Sequence, residues 1–201
     1  MTIEHLEILV EEPSAEAALR ALLPRFLADV TFAVYSHGGK ADLMAKLTER
    51  LRGYAAWLPH TWRIVVVVDR DDEDCMTLKK RMDGIAAAAG LVTPSASRRR
   101  ALVNRIAIEE LEAWYFGDWT AVRTAFPKVR ATIPSQSRYR NPDAIAGGTW
   151  EAFERILQTG GYMKGGLRKI EAARAVAERM QPDRNTSRSF QAFWRAIVDH
   201  G

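Results

Sequence analysis

A chain of 201 residues is long enough for one domain, or for one domain with an extension. Its hydrophobic content of 47% and charged content of 27% are those of a globular protein. The single cysteine, Cys75, excludes an intrachain disulfide. The acidic start MTIEHLEILVEEPS is unlike a signal peptide, and no stretch reaches the roughly 18 apolar residues of a membrane span. We therefore expect a cytoplasmic protein in a reducing compartment, with no membrane partner.

Charge is divided unevenly along the chain. Residues 1–118 contain 15 Lys and Arg against 18 Asp and Glu, a net charge of −3. Residues 119–201 contain 14 against 7, a net charge of +7. Such an asymmetry favours a polyanionic partner, the alternative being that these charges lie on solvated helix faces.

Strands and helices are predicted to alternate over the first 126 residues. β-branched and aromatic residues place the strands at 3–10, 30–36, 62–69 and 101–108. Apolar residues at helical spacing place the helices at 15–27, 41–58, 75–90 and 109–126. Ser14 is the expected N-cap of the first helix and Gly90 the C-cap of the third. The fourth helix is expected to divide near Gly117.

This alternation predicts an α/β fold with a mostly parallel four-stranded sheet flanked by helices. The continuous apolar run WRIVVVVD (62–69) is typical of a strand that is covered on both faces. Residues 127–148 are loop-like, and three helices follow them, in WEAFERIL, GGLRKIEAARAVAERM and SFQAFWRAIV. We therefore divide the chain into an α/β core, 1–118, and a basic helical extension, 119–201, packed on it.

Acidic residues follow three of the four predicted strands. They are Glu11 and Glu12 after the first strand, Asp69, Asp71 and Asp72 at the third, and Glu109, Glu110 and Glu112 after the fourth. Ligands of parallel sheets bind beyond the carboxyl ends of the strands, so these groups are expected at one edge. Carboxylates without His or Cys suit Mg²⁺ or Mn²⁺, and two such ions form the usual clamp for phosphodiester hydrolysis.

The alternative is that these acids cap the helices that follow, where the helix dipole favours negative charge. We prefer capping for Glu12, Glu73 and Asp74. We prefer a metal site for Glu11, Asp69 and Asp71, because each stands where a strand ends. Two carboxylates about 4 Å apart repel by roughly 4 kcal/mol at an effective dielectric near 20, so the cluster VVVVDRDDED (65–74) calls for a cation, a basic partner or open solvent.

These acidic residues resemble those of a known group of proteins. A Glu after the first strand and Asp-x-Asp after the third resemble the TOPRIM domain, the metal-binding fold of topoisomerases, primases and OLD-type nucleases. More closely, the chain resembles a family of small bacterial TOPRIM-like proteins of unknown function. The resembling stretches span almost the whole chain and are VEEPSAEA (10–17), GGKADL (38–43), VVDRDDEDC (67–75), IAIEELEAWYFGD (106–118) and NTSRSFQAFWRAI (185–197).

The resemblance implies a role for each matching residue. Glu11 would be a general acid/base or a metal ligand, Asp69 and Asp71 the metal-binding pair with Asp72 beside them, and Glu110 and Glu112 the additional acids of the OLD-like branch. It also implies Mg²⁺ or Mn²⁺, nucleic acid as substrate, and an ATPase partner of the ABC/AAA type from a neighbouring phage-defence gene. One departure is that Glu12-Pro13 replace the Gly that usually follows the TOPRIM glutamate.

Basic residues supply candidate phosphate contacts. The candidates are Lys40, Arg98, Arg99, Arg100, Arg184 and Arg188 for the nucleic-acid backbone. Gly38-Gly39-Lys40 opens a helix whose N–H groups can hold a phosphate, although it lacks P-loop spacing and a glycine turn with an exposed lysine is the alternative. Lys164, in the glycine-flanked GGYMKGG, is a candidate catalytic electrophile, with an exposed loop lysine as the alternative.

Two functions are compatible with these residues. The first is a divalent-metal-dependent nuclease that acts on DNA or RNA. The second is a catalytically silent TOPRIM-like subunit that docks an ATPase or a nucleic acid. An aspartyl-phosphate phosphotransferase ranks below both, because its nucleophile normally follows the first strand. The sequence leaves open whether the chain forms a homodimer.

Overall fold

The computed structural model describes residues 3–91 and 101–198, which form an α/β protein around one four-stranded sheet. Every strand pairing is parallel, and the strand order is β2-β1-β3-β4. The strands are β1 (His5–Val10), β2 (Thr31–Ser36), β3 (Trp62–Asp69) and β4 (Leu102–Ala107). The prediction of four strands in a mostly parallel sheet is thus confirmed.

Eight α-helices surround this sheet in the described residues. They are α1 (Pro13–Leu22), α2 (Lys40–Trp57), α3 (Cys75–Ala88), α4 (Glu112–Gly117), α5 (Trp119–Ala125), α6 (Thr149–Thr159), α7 (Lys169–Ala177) and α8 (Arg188–Val198). Short 3₁₀ turns connect α5 to α6. No helix in the described ranges is long and apolar enough to cross a membrane.

The helices cover both faces of the sheet, as the valine run of β3 requires. Val65 and Val67 pack with α1 and α4–α8 on one face, and Val66 and Val68 pack with α2 and α3 on the other. We call these the α1 face and the α2 face. Crossovers between parallel strands are right-handed. The connecting helix therefore lies on one face when the next strand is added on one side of β1, and on the opposite face when strands are added on the other side. That change falls between β1 and β3, which is the topological switch point of the fold.

Two helix boundaries differ from the sequence-based expectation. The N-cap position of α1 is Glu12, and Ser14 lies inside the first turn, because Pro13 takes the first helical position, where no N–H is needed. The helix also ends at Leu22 and continues as a 3₁₀ turn, Leu23–Arg25, because Pro24 cannot donate the next helical hydrogen bond. The expected break near Gly117 is confirmed, and Asp118 caps α5 by accepting from the Ala121 N–H.

Gly117 provides a test of packing on the α1 face. A Cβ atom on Gly117 would overlap the side chain of Asn185 and approach the Ser187 nitrogen at 3.0 Å, whereas a Cβ on Gly53, within α2, would meet nothing within 4 Å. We expect Gly117→Ala to lower the free energy of unfolding by roughly 1–3 kcal/mol. The same change at Gly53 should raise it by about 0.5–1 kcal/mol, because alanine favours the helix. Chemical denaturation of both variants measures this, and equal effects would contradict the packing.

Candidate functional site

The acids of β1 and β3 meet at the switch point between these strands. The two strands are in register up to Val10 and Val67, so Glu11 follows β1 beside the end of β3. The backbone N–H of Asp69 donates to Glu11 Oε1 at 2.7 Å. Glu11 is buried, with 7% of its surface exposed. The predicted meeting of these two acids at one sheet edge is therefore confirmed.

Two more carboxyl groups belong to the same site. Asp71 follows β3, and Glu112 is buried in the first turn of α4. Burial is the largest cause that raises the pKa of Asp69 well above its ordinary value. The charges of Glu11, Glu112 and Asp71 raise it further. We call Glu11, Asp69, Asp71 and Glu112 the carboxylate cluster.

Burial changes the protonation of this cluster near neutral pH. Desolvation raises the pKa of Glu11 to about 7, against a smaller lowering by the Asp69 N–H and a further raising by the charge of Asp71. Desolvation likewise raises the pKa of Glu112 to about 7. Near pH 7 each of these groups is therefore divided between its neutral and its ionised form, and a proton can be taken up or released within the cluster.

Lys40 supplies a positive charge from the α2 face. It is the first residue of α2, and its Nζ donates to the carbonyl oxygens of Asp69 (2.8 Å) and Arg70 (3.0 Å). The same ammonium pairs with Asp71 Oδ2 at 3.1 Å and with Glu73 Oε1 at 2.8 Å. Burial lowers the pKa of Lys40, but its bonds to Glu73 and Asp71 outweigh this and raise it. Lys40 therefore remains charged and holds the loop after β3.

Lys169 supplies a second positive charge from the α1 face. It opens α7, and its Nζ lies 3.5 Å from Glu12 Oε2 and 5.1 Å from the centre of the Trp150 ring. Burial lowers the pKa of Lys169, and the charges of Glu112, Glu12 and Glu110 raise it overall. The two lysines thus approach the acidic edge from opposite faces of the sheet.

The loops after β3 and β4 are joined to each other in unusual backbone conformations. Asp71 and Glu109 have positive φ angles of 50° and 65°. The Asp71 N–H donates to the Glu109 carbonyl at 3.1 Å, and Arg70 pairs with the Glu109 carboxylate. Non-glycine residues in this region are strained, and such strain concentrates at functional sites. These contacts fix the direction in which Asp71 leaves β3.

Other predicted acids have structural partners. Glu110 Oε2 accepts from the N–H groups of Thr149 (2.8 Å) and Trp150 (2.9 Å), so Glu110 caps α6. Asp74 caps α3 through the Thr77 N–H, as expected. Glu73, expected to cap α3, instead pairs with Lys40 and Arg81. Glu12 occupies the cap position of α1 without a capping hydrogen bond. Asp72 is exposed.

The predicted phosphate-binding residues that the structure describes have different surroundings. The Lys40 side chain points into the acidic edge rather than to solvent, which corrects the expectation of an exposed lysine, whereas phosphate binding by the N–H groups of the Gly-Gly-Lys motif stays a prediction. Arg184 pairs with the buried Asp118 at 3.1 Å. Arg188 and Lys164 are exposed and have no ion pair within the described residues. Arg98, Arg99 and Arg100 lie outside the described residues.

Two site residues were missed by the sequence analysis. Lys169 lies 57 positions from Glu112 and 157 positions from Glu12, the acids that it faces, and its sequence context is an ordinary helix start. Tyr115 is fully buried, and its hydroxyl has no hydrogen-bond partner within the described residues. Burial, followed by the charges of Glu112 and Asp69, raises the pKa of Tyr115 well above its ordinary value. A buried hydroxyl without a protein partner beside buried acids can bond to a water or to a ligand of the site.

The side chains of the carboxylate cluster offer oxygen donors, but these oxygens are not arranged as a coordination sphere. Within residues 3–91 and 101–198, no three His, Cys, Asp or Glu side chains are arranged to hold a metal ion. Asp71 is directed to Lys40, and Glu11 Oε1 is directed to the Asp69 N–H. The chemistry of the donors suits a hard divalent cation, and ion binding would require these side chains to rotate.

Fold and site together define a parallel α/β protein with an acidic centre at its topological switch point. The chain belongs to the family described as Domain of unknown function (DUF4276), whose model matches residues 10–198. No curated protein and no solved structure matches the chain. The expected family of unknown function is thus confirmed, whereas its relationship to TOPRIM domains stays a prediction.

The raised carboxyl pKa values predict how stability changes with pH. Glu11 and Glu112 have folded pKa values near 7 and ordinary unfolded values near 4.5, so the folded state binds more protons between these limits. The free energy of unfolding should therefore fall as pH rises from about 4.5 to 7, by on the order of 2 kcal/mol for each group. Glu112→Gln should remove its share of this fall. Urea melts at pH 5 and pH 8 measure it.

Carboxyls with lowered pKa values act in the opposite direction. The hydrogen bonds from Ser36 and Arg20 lower the pKa of Glu16 despite its partial burial, so its stabilisation is lost as pH falls below its ordinary value. We expect greatest stability near pH 5. An exposed acid outside the site, Glu49, provides the matched control, and Glu49→Gln should leave the pH profile unchanged. A wild-type profile that rises steadily from pH 5 to pH 8 would contradict burial of these acids.

Proposed function

We propose that the protein is a divalent-metal-dependent phosphodiesterase that hydrolyses DNA or RNA at the carboxylate cluster. The observation that carries the proposal is the junction of Glu11 with the end of β3, where the Asp69 N–H donates to Glu11 Oε1 at 2.7 Å. This junction brings the acids of two strands to the position in which parallel α/β sheets bind their ligands. The same acids carry the TOPRIM resemblance, and the arrangement is consistent with it.

Mg²⁺ or Mn²⁺ fits the donor set of the cluster. Glu11, Asp69 and Asp71 would hold the ion, with Glu112 behind them, because hard carboxylate oxygens are the ligands that both ions prefer. The unpartnered hydroxyl of Tyr115 supports a site that is completed by a ligand. The ion, when bound, supplies Lewis-acid stabilisation of the charge that develops on the phosphate.

The residues of the chain supply the proton chemistry. Glu11 is either a ligand of the ion or the general base that accepts a proton from the attacking water, through the carboxylate oxygen that does not accept from the Asp69 N–H. The water oxygen bonds to phosphorus, the bond to the leaving sugar oxygen breaks, and that oxygen takes a proton from solvent water, while the proton lost by the attacking water returns to solvent through the base. Lys40 fixes the loop that carries Asp71, and Lys169 offsets negative charge on the other face. Lys164 remains a proposed electrophile.

Cleavage assays test this proposal directly. Labelled single-stranded DNA, duplex DNA, RNA and tRNA are incubated with the protein in Mg²⁺ and in Mn²⁺, with and without the ABC/AAA-type ATPase that the resemblance implies from a neighbouring gene. Glu11→Gln and Asp69→Asn should each slow cleavage at least about 10²-fold, while Glu49→Gln should match the wild type. Thermal melts confirm that each variant is folded. Cleavage that survives Asp69→Asn unchanged would place the chemistry elsewhere.

A silent binding subunit is the second candidate. The observation that favours it is that Asp71 is engaged by Lys40 and that the described residues contain no ready-made metal centre. Glu12-Pro13 also stand where TOPRIM domains usually have a glycine after the glutamate. Pro13 has no backbone N–H to offer in the segment after β1. If no substrate is cut under any of these conditions while the ATPase still binds, the silent subunit replaces the phosphodiesterase.

A further inference from the structure

A cleft of about 430 Å³ lies between the segment after α5 and the second half of α6. Four basic side chains line it, namely Lys128, Arg130, Arg138 and Arg155. All four residues are exposed, and no acidic residue lines the cleft. We call it the basic cleft. None of its residues was among the phosphate contacts predicted from the sequence.

The charges of the basic cleft are not neutralised by the protein. None of its four cations forms an ion pair within the described residues, whereas Arg184 pairs with Asp118. Two of the acids close to these cations in sequence bind other groups. Asp143 accepts from the Ser187 hydroxyl (2.8 Å) and the Arg188 N–H (2.5 Å), and Glu154 accepts from the Leu167 N–H (2.7 Å). Three guanidinium groups around one concave surface therefore lack an anion.

The composition of the cleft favours a phosphate backbone over a lipid surface. The large exposed apolar side chains of the described residues are Phe26, Tyr35, Trp57, Met76 and Ile170, and none of them lines the cleft. A membrane-binding surface would add apolar contacts to the basic ones. Arginine binds phosphate through two parallel hydrogen bonds, which suits the three arginines here.

Helix α6 links the basic cleft to the carboxylate cluster. Its first residue, Thr149, donates to Glu110, and Trp150 lies under Lys169, so this end faces the acidic edge. Arg155, six residues later, lines the cleft. At a rise of 1.5 Å per residue the two positions are about 9 Å apart along the helix.

We propose that the basic cleft binds the phosphodiester backbone of a nucleic acid strand whose adjoining segment lies at the carboxylate cluster. This inference rests on the proposed function and identifies how its substrate is held. The contacts are to phosphates, so binding is independent of base sequence and depends steeply on salt.

The test is fluorescence anisotropy of labelled single-stranded DNA and RNA in EDTA, where metal-dependent cleavage is absent. The variant Arg130→Glu, Arg138→Glu, Arg155→Glu reverses three charges in the cleft. The matched control, Arg52→Glu, Lys80→Glu, Arg195→Glu, reverses three exposed charges on α2, α3 and α8. Each reversal changes the charge by two, so both variants go from +4 to a formal charge of −2. Bulk charge is therefore equal, and only its position differs.

We expect the cleft variant to bind at least about tenfold more weakly near 0.1 M salt, and to lose about two units from the slope of log affinity against log salt. The control should stay within about threefold of the wild type, because charges beyond about 10 Å are screened at this salt concentration. Equal weakening in both variants overturns the proposal. Displacement of the DNA by polyglutamate of equal charge also overturns it, and would assign the cleft to an acidic protein.

Failure of this inference can be told apart from failure of the proposed function. If the wild type and the control bind nucleic acid, the cleft variant does not, and nothing is cut in Mg²⁺ or Mn²⁺, the cleft stands and the phosphodiesterase falls. If the wild type cuts and the cleft variant binds and cuts as well as the wild type does, the phosphodiesterase stands and the cleft falls.

Discussion

Burying carboxyl groups side by side is the constraint on which the rest of this structure depends. Each such group loses hydration and repels its neighbours, and both effects favour the neutral form. Glu11 and Glu112 respond with pKa values near 7, and Lys40 and Lys169 bring ammonium groups from opposite faces of the sheet. The acids that follow the four valines of β3 are therefore tolerated, because some of them bind protons and because two lysine ammonium groups lie close to them. A group poised between two charge states is also what acid–base chemistry at neutral pH requires.

The sheet places these buried acids at the position where parallel α/β sheets bind ligands. A change of crossover direction leaves an opening between β1 and β3, and the helices that begin there turn their N-termini toward it. Lys40 begins α2, Glu112 lies in the first turn of α4, and Lys169 begins α7. Helix α6 also begins at this edge and ends beside the basic cleft, so acidic and basic surfaces are separated along one rigid element. Under the proposed function, such a separation would let a polyanion be held at one end of the helix while its reacting phosphate lies at the other.

The sequence was sufficient for features that depend on local pattern. The valine run identified β3, the alternation of elements identified the parallel sheet, and Glu11 and Asp69 followed from their positions at strand ends. Features that depend on contacts distant in sequence were missed or misread. Lys40 looked like a surface phosphate ligand, but the loop after β3 captures it. Glu110 looked like one acid among three, but it caps a helix that begins about forty residues later. Arg184 was predicted to contact a phosphate, but it pairs with Asp118, which lies 66 residues away in the sequence.

The proposed function requires that partly protonated buried acids at the switch point bind a divalent cation. Calorimetric titration of Mn²⁺ at pH 7, repeated in buffers of different ionisation enthalpy, measures both binding and the protons released. Ligands must lose their protons to bind metal, so binding should release protons from the carboxyl groups whose pKa values are raised, namely Glu11, Asp69 and Glu112. Asp69→Asn should abolish binding, and Glu112→Gln should lower the proton release. Mn²⁺ binding without proton release, or equal binding by the wild type and Asp69→Asn, would contradict the account.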